Sequence, residues 1–128
     1  MNGDIDYLVD TNMIIYYLNG DPTAIDWLRE HKARLSISII VSLEVLSYPF
    51  AEPEDKIVRD FLDGFRLFVF DQPIFEKTIH LRRTHNIKLP DAIIASTAHC
   101  HNLTLVTRNV SDFNGLSIQV FNPFQSIS

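Results

Sequence analysis

The chain has 128 residues, 46% of them hydrophobic, and its 16 acidic and 11 basic side chains give a formal net charge of −5. That length suits one compact domain with a single core, and the negative balance means that a polyanion must be met by a local basic patch or a bound cation. The only cysteine, Cys100, excludes an internal disulfide and a cysteine-rich zinc site, and the N-terminus has no basic stretch leading into an apolar run, so a reducing cytoplasm is the expected setting.

Residues Ile5 to Val9 read as a strand, after which Met13, Ile14, Tyr17 and Leu18 recur at the spacing of one helical face, ended by Gly20. Asp21 before Pro22 is a capping residue followed by the residue favoured at the first helical position, and Ile25 and Leu28 then share a face. Leu35 to Ile39 alternates apolar residues with serine as a second strand, and Val41 to Tyr48 is helical until Pro49 stops it. The most apolar run, Ile37 to Leu46, is too short and too interrupted by serine and glutamate to span a bilayer.

Between Pro53 and Gly64, Ile57, Val58, Phe61 and Leu62 lie on one helical face, and Leu67 to Phe70 reads as a short buried strand. An amphipathic segment runs from about Ile74 to His85. Pro90 opens a helix carrying Ile93, Ile94 and Ala98, Asn102 supplies a left-handed stop, Leu103 to Val106 forms a fourth strand and Ser117 to Phe121 a fifth. Short apolar strands alternating with helices predict an α/β fold over 1–128, a parallel sheet covered on both faces and joined by right-handed crossovers.

In open α/β sheets ligands bind beyond the carboxyl ends of the strands, which draws attention to Asp10, Asp71 and Asp112, each just after a strand. Each acid also has a structural reading. Asp10 can cap the following helix, Asp91 after Pro90 is favoured by the helix dipole, Asp112 suits a turn, and Glu44 in SLEVL is either solvated or compensated by a partner. No single acid decides between function and structure.

The combination of YLVDTN, SLEVL, LPDAIIASTAH and LTLVTRNVSDF resembles the PIN-domain ribonucleases, in particular the small VapC-type toxins of type II toxin–antitoxin pairs, over nearly the whole chain. The resemblance implies a three-layer α/β/α fold with strand order 3-2-1-4-5. It also implies an endoribonuclease whose catalytic acids are Asp10, Glu44, Asp91 and Asp112, a homodimer, and a VapB-like antitoxin. Phe50 and Phe65 are candidate contact points, with core packing as the alternative for each.

Chemistry supports that set. Carboxylates about 4 Å apart repel by roughly 4 kcal/mol at an effective dielectric of 20, so a cluster of them calls for a cation, and oxygen-only ligands suit Mg2+ or Mn2+. We assign Asp10 and Asp91 as the main metal ligands, with Asp112 as a further ligand and Glu44 as a ligand or water positioner. Thr11, Asn12, Thr107 and Asn109 form the supporting polar shell, and Arg108 contacts the RNA backbone. Arg82, Arg83 and Lys88 could steady that backbone, although surface solvation is the simpler account of the first two.

Rival readings use other residues. A receiver-like signalling domain would take Asp71 as phosphate acceptor, but it wants a second acid beside Asp10 and a lysine after the last strand. Thr11 and Asn12 stand beside Asp10, and 118–128 holds no lysine. A catalytically idle module that only binds RNA or a partner would have no need of all four acids. His99 and His101 point in different directions on a helix and make no zinc site.

Overall fold

The structure, a computed structural model, describes residues 5–125. Among them the order is β1 (Tyr7–Val9), α1 (Thr11–Leu18), α2 (Pro22–Glu30), a 3-10 turn (Lys32–Arg34), β2 (Leu35–Ser38), α3 (Ile39–Leu46), α4 (Glu54–Leu62) and β3 (Arg66–Phe68). Then come α5 (Gln72–Thr84), α6 (Leu89–His101), β4 (Thr104–Val106), a second 3-10 turn (Val110–Phe113) and β5 (Val120–Phe121). The strands form one parallel sheet in the order β3-β2-β1-β4-β5, the order the resemblance implies.

β1, β2 and β3 step one way across the sheet, then the chain returns past β1 to lay down β4 and β5. The helices divide accordingly. α1 packs on α2 and α3, and α3 on α4, while α5 and α6 pack on each other. No helix among the described residues is long and apolar enough to cross a membrane.

Central strands are buried on both faces, which is why β2 carries Leu35 and Ile37 alongside Ser36 and Ser38, all buried. The serines are tolerated because each makes a hydrogen bond. Ser36 Oγ donates to the Tyr7 carbonyl at 2.7 Å, and Ser38 Oγ accepts from the Ile40 amide at 3.2 Å. Leu8, Val9, Leu105 and Val106 complete the sheet's contribution to a core filled by Met13, Ile14, Val41, Ile94 and their neighbours.

Local signals hold at the helix ends. Asp21 caps α2, its Oδ1 accepting from the Ala24 amide at 3.1 Å, and Asn102 closes α6 in the left-handed conformation at φ 53°. Ser38 caps α3, so that helix begins at Ile39 rather than Val41 and shortens the strand before it. The last strand is confined to Val120–Phe121, within the expected Ser117 to Phe121.

The expected buried strand at Leu67 to Phe70 needs correcting. β3 covers Arg66–Phe68 instead, and Leu67, Val69 and Phe70 are 47%, 56% and 45% exposed. An edge strand has a neighbour on one side only, and a continuous apolar run does not reveal whether it lies at the centre or the edge. Phe50 and Phe65 are partly buried against the core, the packing role weighed for them above.

Candidate active site

β1 and β4 lie side by side, but their onward connections lead to opposite halves of the sheet, which opens a crevice at their carboxyl ends. The register pairs Leu8 with Leu105 and Val9 with Val106, so the next residues, Asp10 and Thr107, emerge together. The Asp10 amide donates to the Val106 carbonyl at 2.9 Å, and the Thr107 amide to the Phe121 carbonyl at 3.0 Å. Sheet pairing therefore fixes both backbones at the crevice floor.

Asp10 is 6% exposed. Its extended backbone makes it the N-cap of α1, with Oδ1 accepting from the Thr11 amide at 2.7 Å. Oδ2 accepts from the Thr107 hydroxyl at 2.8 Å and from Asn12 Nδ2 at 3.4 Å. Capping and site placement are thus one arrangement.

Thr107 is the centre of the polar shell. Its fully buried hydroxyl donates to Asp10 and accepts from Asn12 Nδ2 at 3.2 Å and from the Asn109 amide at 3.0 Å. That uses the one donor and two acceptor positions of a hydroxyl. Asn12 extends the network, its Oδ1 accepting from the Arg108 amide at 3.4 Å. Thr11 faces the other way, its hydroxyl donating to Glu44 Oε1 at 2.6 Å.

Glu44 stands on the exposed side of α3, whose Val41 and Val45 are buried, and α3 packs against α1. Asp91 lies half-buried in the first turn of α6, after Pro90. Asp112 is exposed in the second 3-10 turn, which buried Phe113 anchors.

The four acids feel one another's charge. Burial first, then the charges of Asp10, Asp112 and Glu44, push Asp91 up to about 6, with Lys88 opposing. Burial also raises Asp10; the Thr107 and Thr11 hydrogen bonds pull it down, and Glu44 and Asp112 push it up. A negative charge in the first turn of a helix is normally favoured, whereas burial and the neighbouring acids push Asp91 the other way.

Among the described residues, no three His, Cys, Asp or Glu side chains converge closely enough to chelate an ion as they stand. The donor set nevertheless fits a hard divalent cation. It offers carboxylate oxygens under mutual repulsion, and a small cation of this kind takes only one or two carboxylates directly while keeping several waters.

Other candidates fall outside. Asp71 caps α5, its Oδ1 accepting from the Ile74 amide at 3.2 Å, and its charge helps raise the Cys100 thiol after burial. Cys100 lies nine residues beyond Asp91 on α6, roughly 14 Å along the axis, so Asp71 has a structural role remote from the cluster. Arg82 Nη1 donates to the Ile87 carbonyl at 2.6 Å, and the His101 ring sits 4.1 Å from that of Phe68. A cleft of about 260 Å³ lined by Tyr17, Arg29, Phe61 and Phe65 also lies away from the acids.

Arg108 is exposed, and its guanidinium lies over the rings of Tyr16, at 5.1 Å, and Phe124, at 4.6 Å. Sequence reasoning missed both aromatics. Tyr16 sits among helical residues and Phe124 near the chain end, with no local spacing to connect them.

Comparison with known proteins agrees with the fold. The profile of the PIN domain matches residues 7–114, from β1 through the turn that carries Asp112. Ribonuclease VapC10 of Mycobacterium tuberculosis is 33% identical over 113 residues, covering 83% of this chain and 84% of the relative. Toxin FitB of Neisseria gonorrhoeae is 27% identical, covering 91% of this chain and 97% of the relative. A toxin–antitoxin complex from Klebsiella pneumoniae contains a chain of 34% identity that superposes with a TM-score of 0.85, covering 94% of this chain and 100% of that one. FitAcB from Neisseria gonorrhoeae superposes at 0.77 with 26% identity, covering 94% of this chain and 99% of that one. With the fold, the strand order and the family profile in agreement, this chain belongs to the PIN domain family.

Proposed function

We propose that this protein is a Mg2+- or Mn2+-dependent endoribonuclease of the cytoplasm, acting as the toxin of a type II toxin–antitoxin pair. The observation that carries the reading is the crevice at β1 and β4, where buried Asp10 is held by Thr107, Thr11 and Asn12 and where burial first, then the charges of Asp10, Asp112 and Glu44, push Asp91 up to about 6. The similarity to a ribonuclease and a toxin supports the reaction class, and the similarity to toxin–antitoxin complexes supports the partner.

Asp10 and Asp91 are the main ligands, with Asp112 completing the set. When bound, the cation supplies Lewis acidity, acidifying water and screening charge on the phosphate. The protein supplies orientation. Thr107, Thr11 and Asn12 immobilise the Asp10 carboxylate, so little reorganisation is needed when RNA arrives. Glu44 Oε1 accepts from the Thr11 hydroxyl, which orients the carboxylate to hold a water and take its proton as the water oxygen bonds to phosphorus and the P–O bond to the departing ribose oxygen breaks, that oxygen taking a proton from solvent. Asn109 braces Thr107, and Arg108 meets the RNA backbone.

The surroundings suit a protein partner as well as RNA. Ile39 and Leu43 on the helix of Glu44, and Leu89 two residues before Asp91, are 41%, 61% and 52% exposed, apolar surface on the elements that carry the acids. A VapB-like antitoxin covering that surface would block the crevice, and a homodimer would cover further apolar surface.

The test is partner-free protein with a total cellular RNA pool. Cleavage that needs Mg2+ or Mn2+, stops on chelation and is lost in Asp10→Asn supports the reading. No cleavage with either ion, or equal cleavage by Asp10→Asn, contradicts it.

A further inference from the structure

The guanidinium of Arg108 packs against a pair of aromatic rings, Tyr16 and Phe124, whose own centroids are 5.0 Å apart and tilted by 53°. The two come from distant parts of the chain. Tyr16 is on α1, and Phe124 follows β5, in a turn where its amide donates to Asn122 Oδ1 at 2.9 Å. The Thr107 amide bonded to the Phe121 carbonyl ties that turn to the crevice floor.

Arg108 itself is exposed and, among the described residues, makes no ion pair. Its backbone amide reaches Asn12, which in turn reaches Asp10, so its main chain belongs to the site while its side chain leaves along α1. Tyr16 lies six residues beyond Asp10, roughly 9 Å along the helix axis. Arg108 is not among the main charges acting on Asp10 or Asp91. Its charge faces solvent, with a long side chain already ordered against π faces.

Resting on the nuclease reading, we propose that Tyr16 and Phe124 are positioning residues that hold Arg108 ready for a phosphate flanking the scissile one, making the segment after β5 part of the RNA-binding apparatus. Stacking orders the guanidinium without taking up its charge, so less freedom is lost when a phosphate binds. The protein has a net charge of −5, and this ordered positive group beside an acidic crevice selects where the polyanion may lie.

The experiment is a double-mutant cycle on binding of a fluorescent single-stranded RNA to full-length protein in the Asp10→Asn background with Mg2+, so that cleavage does not interfere. Arg108→Ala should weaken binding about 5-fold and lower the slope of log affinity against log salt by about 0.7, the share of one phosphate on a single strand. Phe124→Leu, which keeps an apolar side chain but removes the π face, should weaken binding about 3-fold alone and have no further effect on Arg108→Ala. Phe124→Trp and Tyr16→Phe should bind as the parent does. The proposal is overturned if Arg108→Ala binds as the parent does, if Phe124→Leu has no effect, or if Phe124→Leu costs as much without Arg108 as with it. Binding that follows the cycle while the wild-type protein cleaves no RNA would uphold the clamp and sink the nuclease reading; cleavage without the coupling would do the reverse.

Discussion

Asp91 shows how much of the site is a stored electrostatic cost. Its pKa in the folded protein is about 6 against an ordinary 3.8, so between those values the folded state keeps a proton that the unfolded state has lost. Stability from this group therefore falls as pH rises through that window, and the full penalty is present above it; the raised Asp10 acts in the same direction. Metal-free Asp91→Asn should melt at a higher temperature than wild type at neutral pH, with the difference vanishing toward about pH 4. Adding Mg2+ or Mn2+ should stabilise wild type more than Asp91→Asn at neutral pH. Equal melting curves for the two proteins at every pH would contradict the shift. Thr107 gives a second test at this scale. Thr107→Val should cost about 1–3 kcal/mol in denaturant unfolding, because it strips a hydrogen bond from Asp10, leaves the Asn109 amide without its acceptor and leaves Asn12 Nδ2 with Asp10 alone, while Thr107→Ser should retain most of the stability. The importance of Thr107 was only partly legible in the sequence. Its bond to Asp10 spans 97 residues and depends on strand register, which no local pattern encodes.

At the scale of elements, short-range chemistry was readable where one residue enforces one conformation. Asp21 with Pro22, and Asn102, mark helix ends because a cap or a left-handed residue answers to its immediate neighbours alone. Asn102→Gly should leave stability nearly unchanged, whereas Asn102→Val should cost about 1–2 kcal/mol, measured by thermal or denaturant melting, since a β-branched side chain clashes at φ 53°. An Asn102→Val protein as stable as wild type would show that the cap relaxes. What escaped the sequence was position within the sheet. LFVF has the composition of a buried strand, yet it lies at the edge with Leu67 exposed, because the strand order depends on crossovers that composition does not record. The start of α3 was missed for a related reason, as Ser38 ends a strand and caps a helix at the same residue.

On the scale of the whole molecule, the strand order turns four separately ambiguous acids into a set. β1 sits at the centre of the sheet, so Asp10 lies between the chain leaving β4, which carries Asp112, and the helix after β2, which carries Glu44, and the charges of all three act on Asp91 at the start of α6. Asp71 follows β3 at the sheet edge and spends its carboxylate on capping α5. Acids that follow strands in the same way thus end at the central crevice in one case and on a helix cap at the sheet edge in the other, and topology makes the difference. A net charge of −5 becomes compatible with an RNA substrate once a divalent cation and Arg108 are in place. The central claim is that these four acids form one metal-dependent cleaving centre. It is tested most directly by the initial cleavage rate of one RNA substrate, with Mn2+, across Asp10→Asn, Glu44→Gln, Asp91→Asn, Asp112→Asn and Asp71→Asn. The predicted result is a loss of about 100-fold or more for Asp10 and Asp91, about 10-fold for Glu44 and Asp112, and a rate near wild type for Asp71→Asn. Wild-type rates in Asp91→Asn, or abolition by Asp71→Asn in a protein that remains folded, would contradict it.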